Sequence, residues 1–216
     1  MADVKRRSYD ASRRQERARA NRRAILDAAV EILLERGYAA TTLALVADRA
    51  GVAVPTVYNA FGNKPAIVKA AFDYAVAGDD EPVPLHQRER AARIKAEPSA
   101  VRKLEIYADG LIGTLARSAR LQLIARAAAE IDAEMKDVWD QMTSGRLAGM
   151  RILAANLSEG GHLRADVGLD EAQDVLWAYT SPELYQLIVL IRGWSAARYR
   201  DWIARSLRDA LLERRR

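Results

Sequence analysis

Apolar residues recur every three or four positions through almost the whole chain, the period of helices with one buried face. Ile25, Ala28, Ala29, Ile32 and Leu33 share one such face, which ends at Gly37. Upstream, Ser12 and Gln15 have the spacing of a capping box, so the first helix is expected to begin there. The next apolar run is short. Thr42 is a good N-cap for a helix over Leu43–Ala50, Gly51 ends it, and Pro55 sits in the first turn of another. Ala47 is small where the two must cross, and Leu43, Val46 and Val57 can pin them together. Two short helices pivoting on one glycine form a helix-turn-helix, whose second helix usually enters a DNA major groove. Asn63 caps a fourth helix, with Pro65 in its first turn and Ile67, Val68, Ala71 and Phe72 inward.

The cluster Gly78-Asp-Asp-Glu-Pro-Val-Pro84 breaks the pattern and marks a domain boundary. Beyond it no strand-like alternation appears. Helices are predicted over Ser99–Arg117, Arg120–Ile131, Ala133–Glu159, Leu169–Thr180, Pro182–Ile191 and Ser195–Leu212, with Gly160, Gly161 and Gly193 as stops. The expected fold is all-α. Its parts are a basic disordered arm (1–13), a helix-turn-helix domain (14–77) and a larger helical domain (78–216).

Charge sharpens this picture. The net charge is +5, and the excess is confined to one end. Residues 1–76 hold 13 Lys and Arg against 8 Asp and Glu, whereas residues 77–216 hold 21 of each. A cationic arm beside a groove-reading helix suits a polyanionic duplex. With no cysteine, disulfides and thiolate chemistry are excluded. No apolar run reaches the roughly 18 residues of a membrane span, and the charged N-terminal segment does not read as a secretory signal. A cytoplasmic location is expected.

The stretch I-L-D-A-A-V-E-I-L-L-E-R-G-Y from Ile25 to Tyr38, followed by T-T-L-A-L-V-A, A-G-V and V-Y-N-A-F-G-N-K, resembles the DNA-binding domain of the Tet repressor family of transcriptional regulators. The segment from Leu176 to Tyr185, with R-G-W-S from Arg192 and R-Y-R-D-W-I from Arg198, is similar to the C-terminal region of one subgroup of that family. The resemblance implies an N-terminal three-helix DNA-binding domain joined to a C-terminal ligand-binding and dimerisation domain. It also implies a repressor that binds a palindromic operator as a homodimer and is released by a small apolar effector. Tyr58 and Lys64 match the family's phosphate-contacting Tyr and Lys in Y-x-x-F-x-x-K.

Residue chemistry extends the candidate interface. Thr56 and Asn59 are polar and early in the second motif helix, and Asn can contact adenine bidentately. Pro55 can touch a thymine methyl, and the helix start at Thr42 can present N–H groups to a phosphate. Arg6, Arg7 and Arg14 are candidates for an adjacent minor groove. In many family members polar or basic residues follow the cap of the first motif helix. Here Ala44 and Leu45 stand there, leaving Arg49 as a weaker substitute.

In the C-terminal domain Tyr107, Leu111, Leu115, Trp139, Met142, Met150 and Trp177 offer an aromatic, adaptable lining for an effector. Each can equally be ordinary core. The family places dimerisation in the last two long helices, which makes Leu184, Leu187, Ile188, Ile191, Trp202, Ile203 and Leu207 interface candidates. Catalytic and metal-binding equipment is missing: the two histidines, His86 and His162, lie far apart, and no phosphate loop occurs. Neither an enzymatic role nor a cofactor or membrane partner is expected. An architectural DNA-binding protein without a ligand switch is the principal alternative, and a protein-binding helical adaptor a further one.

Overall fold

A computed structural model of the chain describes the backbone of residues 2–213 and the side chains of residues 14–213. Among the described residues there is no strand beyond an isolated bridge between Leu163 and Leu212. The chain divides into two compact units, Met1–Tyr74 and Ala75–Arg216.

In the first unit, α1 spans Ala2–Ala40, α2 Leu43–Ala50 and α3 Val54–Phe61, and α4 (Lys64–Ala77) begins there. The backbone of residues 2–13 is the start of α1, where the sequence predicts a disordered arm. Their side chains, those of Arg6 and Arg7 included, lie outside the described residues. Near its other end α1 is interrupted at Gly37, whose φ of 73° belongs to the left-handed region open to glycine. Thr41 then folds back, its buried hydroxyl donating to the Gly37 carbonyl at 2.7 Å. The core is the one the periodicity marks: Ile25, Ala28, Ala29, Ile32 and Leu33 of α1 meet Leu43, Val46 and Ala47 of α2, with Val57, Ile67 and Val68 also buried.

The second unit contains the last turn of α4, then a 3-10 turn (Leu85–Gln87) and α5 (Glu89–Ala96), a region where no helix was predicted. The linker is organised by Arg88, which grips both carboxylate oxygens of Asp79 at 2.6 and 2.9 Å and donates to the Val83 carbonyl. The long helices α6 (Ala100–Ala129), α7 (Ala133–Glu159), α8 (Leu169–Tyr179) and α10 (Ala196–Leu211) follow. Between the last two lie α9 (Pro182–Tyr185) and a π-helical segment, Gln186–Ile191. Sequence spacing predicts a break near Arg117, yet α6 is continuous. Ser118 there satisfies its hydroxyl within the helix, on the Thr114 carbonyl at 2.8 Å, and Ala119 is fully buried.

Lys103 of α6 is 4% exposed, and its ammonium holds the end of α5. It donates to the carbonyls of Ile94 (2.8 Å) and Lys95 (3.1 Å) and to Asn156 Oδ1 (2.7 Å). Burial pulls its pKa down, partly opposed by Glu97. Lys103→Met keeps the stem but strands three acceptors. It is expected to reduce the unfolding free energy by about 1–3 kcal/mol, read from urea denaturation; an unchanged midpoint would show that the contacts are replaceable.

Candidate functional site

The helix-turn-helix is built by local signals. Thr42 Oγ1 accepts the Leu45 N–H at 3.1 Å, fixing the start of α2. At its end Gly51 takes φ 66°, and its N–H caps the last carbonyls. Val52 N–H closes the turn on the Ala47 carbonyl at 3.0 Å. Pro55 lies in the first turn of α3, and Val57 anchors that helix in the core.

With Val57 inward, α3 presents Pro55, Tyr58 and Asn59 outward, with Thr56 half-buried beside them. Tyr58 is 55% exposed and so is not packed away as core. Val54, which the sequence reading passed over, adds an exposed apolar surface at the helix start. Nothing local distinguishes it from a core valine, because burial depends on which side of α3 faces α1 and α2. Lys64 is also engaged within the headpiece. Its ammonium sits 3.9 Å from the Tyr38 ring centroid and 3.3 Å from the Ala39 carbonyl.

The charges sort themselves by partner. Arg49 turns back onto α1, pairing with Glu31 and Glu35 at 3.1 Å each, and holds the Glu35 carboxyl below the usual range. Its expected part as a substitute DNA contact is thereby taken over by an internal ion pair. Along α1 the exposed arginines include Arg14, Arg17, Arg19, Arg22 and Arg23. The Arg22 guanidinium lies 4.8 Å from the centre of the Phe61 ring, joining the basic stretch of α1 to the end of α3. This unit offers a rigid helix with an uncharged, hydrogen-bonding outer face, bordered by cations.

In the second unit, Leu111, Leu115, Met142 and Met150 are buried, and Tyr107, Trp139 and Trp177 are half-buried. The structure brings together a subset of the expected lining. Tyr107 donates its hydroxyl to Met150 Sδ at 3.2 Å, and Trp177 packs under a residue the sequence reading missed, Arg146. The available signal was spacing: Met142, Arg146 and Met150 follow at intervals of four on α7, putting a cation within an apolar stripe.

The candidate dimer residues divide. Ile203 and Leu207 are fully buried and pack in the unit's own core beside Tyr199 and Leu211. They are corrected from interface to core, because the face of α10 that carries them is spent internally. Leu184, Ile188 and Trp202 are half-buried, Trp202 packing edge-on against Trp194 with centroids 5.9 Å apart. Leu187, Leu190 and Ile191 stand out at 54%, 46% and 66% exposure.

Residues 25–71, which span the helix-turn-helix, match the model of the bacterial regulatory proteins of the tetR family. The chain is 28% identical over 186 residues to the transcriptional regulator TtgR of Pseudomonas putida, covering 84% of this chain and 83% of that protein. These matches support a TetR-family transcriptional regulator. Two solved structures share the fold of this chain. One is NalD, the secondary repressor of the MexAB-OprM multidrug efflux pump in Pseudomonas aeruginosa (TM-score 0.71, 20% identity, 92% of this chain and 98% of that one). The other is FadR from Bacillus subtilis in complex with stearoyl-CoA (TM-score 0.66, 23% identity, 85% and 96%). The relatives are named as regulators, not as enzymes. No helix among the described residues is long and apolar enough to cross a membrane, and no group of acidic or histidine side chains there is placed to hold a metal ion.

Proposed function

We propose that this TetR-family regulator is a homodimeric repressor that binds a partly palindromic operator and releases it when a small, largely apolar effector enters the C-terminal unit. The observation that carries the reading is the outer face of α3, where Pro55, Tyr58 and Asn59 are exposed on a helix held by the buried Val57. In this reading Thr56 and Asn59 address base edges, Tyr58 and Lys64 address phosphates, and the α2 start at Thr42 adds backbone donors. Arg6, Arg7 and Arg14 supply salt-sensitive attraction along the duplex.

One short helix reads too few base pairs for selectivity, so two copies on a two-fold axis are needed. Leu187, Leu190 and Ile191 provide apolar surface for that pairing, flanked by Leu184, Ile188 and Trp202. The effector core has a mechanical partner in Arg117. This residue lies further along α6 than Tyr107, Leu111 and Leu115, and its guanidinium holds the Ala75 carbonyl (2.8 Å) and the Val76 carbonyl (3.3 Å) in the last turn of α4. A displacement of α6 by a ligand therefore acts on the helix that starts at Lys64. NalD, a secondary repressor, and FadR, solved with stearoyl-CoA bound, agree with a ligand-released repressor.

The test is footprinting on a site selected in vitro from random DNA. Protection with two-fold symmetry, its half-sites about 34–36 Å apart or a multiple of it, is expected. Protection without symmetry or sequence preference would favour the architectural alternative.

A further inference from the structure

We infer that the effector site of the C-terminal unit is built for an organic acid, a single carboxylate on an apolar body, with Arg146 as its anchor. The inference deepens the effector-released reading above and rests on it.

Arg146 emerges between two buried methionines, Met142 and Met150, on the inward face of α7. Both of its hydrogen bonds leave from Nη1, to the Trp177 carbonyl at 2.5 Å and to Thr180 Oγ1 at 3.2 Å. These are neutral acceptors at the end of α8. The guanidinium lies over Trp177, its Cζ 4.6 Å from the ring centroid. Among the described residues no carboxylate forms an ion pair with it. Glu183, the acid whose field reaches Arg146, is held instead by Arg126 at 2.8 Å. Burial penalises the charged guanidinium and pulls its pKa down.

The neighbouring polar atoms are short of acceptors as well. Trp177 Nε1 is buried without a hydrogen-bond partner. The Tyr107 hydroxyl is pushed well above the usual phenol range by burial, a shift that the Thr180 hydroxyl and Arg146 partly oppose, and it donates to a thioether, Met150 Sδ at 3.2 Å. A thioether is a weak acceptor. The hydroxyl of Thr180, 2% exposed, is the remaining member of the cluster. The surroundings thus hold a desolvated cation, an orphaned indole N–H and a poorly satisfied phenol, all of them donors. What such a set lacks is acceptor capacity and negative charge. A carboxylate supplies both, and the Nε–Nη2 edge of Arg146, which makes neither of its two bonds, has the fork geometry that grips one.

The rest of the cluster sets the body of the ligand. Leu111, Leu115 and Leu153 are buried apolar neighbours in the same core, and unbranched methionine side chains repack readily around an inserted chain or ring. A second negative charge would find no second cation in this cluster, and a quaternary ammonium would face Arg146 directly. Arg146, Trp177 and Tyr107 are each half-buried, so the cluster borders the unit's surface.

The test is calorimetric binding to the full-length protein of two acid–alcohol pairs, decanoate with 1-decanol and 2-naphthoate with 2-naphthol, alongside operator release. A charge-assisted contact made only by the acid is expected to favour it by at least about tenfold in one pair. Arg146→Gln should abolish that preference. Tyr107→Phe, which removes one donor at nearly constant volume, should reduce it. Equal affinity of acid and alcohol in both pairs, or binding of none of the four, overturns the proposal and reduces Arg146 to a cap on α8. If the alcohols release the operator as well as the acids do, the carboxylate site fails while the effector-released repressor stands. If an acid binds with the stated preference but leaves operator affinity unchanged, the site stands and the repressor switch fails.

Discussion

Leu187→Asp with Ile191→Asp yields a folded monomer that has lost its hold on a two-half-site operator. Both side chains already face outward, at 54% and 66% exposure, so charging them removes little from the unit's own core. The same substitution at Ile203 or Leu207, both fully buried, would unfold the chain and report nothing about assembly. Once the copies separate, the second half-site contact is no longer intramolecular. The avidity lost is on the order of 100- to 10,000-fold in apparent affinity. Sedimentation gives the mass, circular dichroism the fold, and anisotropy on labelled operator the affinity. A double variant that remains dimeric with operator affinity intact would move the interface elsewhere.

The π-helical segment bears on this outcome. In Gln186–Ile191 the bonding step is one residue longer than in an α-helix, as in the bond from the Arg192 N–H to the Leu187 carbonyl at 3.1 Å. Leu187, Leu190 and Ile191 are the exposed apolar residues of this segment, while Tyr185 just before it stays buried.

Asn59→Ala and Tyr58→Phe are expected to separate reading from holding. Asn59 is exposed on α3, so its loss should cost about 1–3 kcal/mol per half-site on the operator and little on random DNA. Removal of the Tyr58 hydroxyl deletes a neutral donor. It should weaken both DNAs alike, by about 0.5–1.5 kcal/mol per contact, without changing the salt dependence. Lys64→Ala differs from both. If its ammonium meets a phosphate, the slope of log affinity against log salt falls by about 0.9 per contact. If it only braces Tyr38 and the Ala39 carbonyl, stability falls and the slope holds. Equal losses on operator and random DNA for Asn59→Ala would remove that residue from the base-reading set.

The headpiece was legible in advance because its determinants are local. A hydroxyl at Thr42 reaches an N–H three residues on, Gly51 alone tolerates the left-handed turn, and Pro55 fits a first helical turn. None of these depends on a distant partner. The inward faces of α1 and α4 were equally readable, since one period repeated along one helix names its buried side. Where determinants were weaker the reading slipped. Neither glycine nor proline stands at Ser118–Ala119, and α6 runs on through Gly110 and Gly113, so a break placed after Arg117 had no stop signal to support it.

Periodicity says which face of a helix turns inward, but not what it meets. It marked Ile203, Leu207, Leu187 and Ile191 alike as apolar, and could not say that the first two face the core while the others stay exposed. For Ile203 and Leu207 that choice follows from how α10 packs on α6. The same holds for Arg146. Its position in a methionine stripe was visible in the chain. That its guanidinium lies over Trp177, near the Tyr107 and Thr180 hydroxyls, required α6, α7 and α8 to pack together. Local chemistry determined the elements of this protein and its helix-turn-helix. Contacts between residues remote in sequence, which no local pattern encodes, decided which apolar faces are spent and where a buried cation stands without an anion.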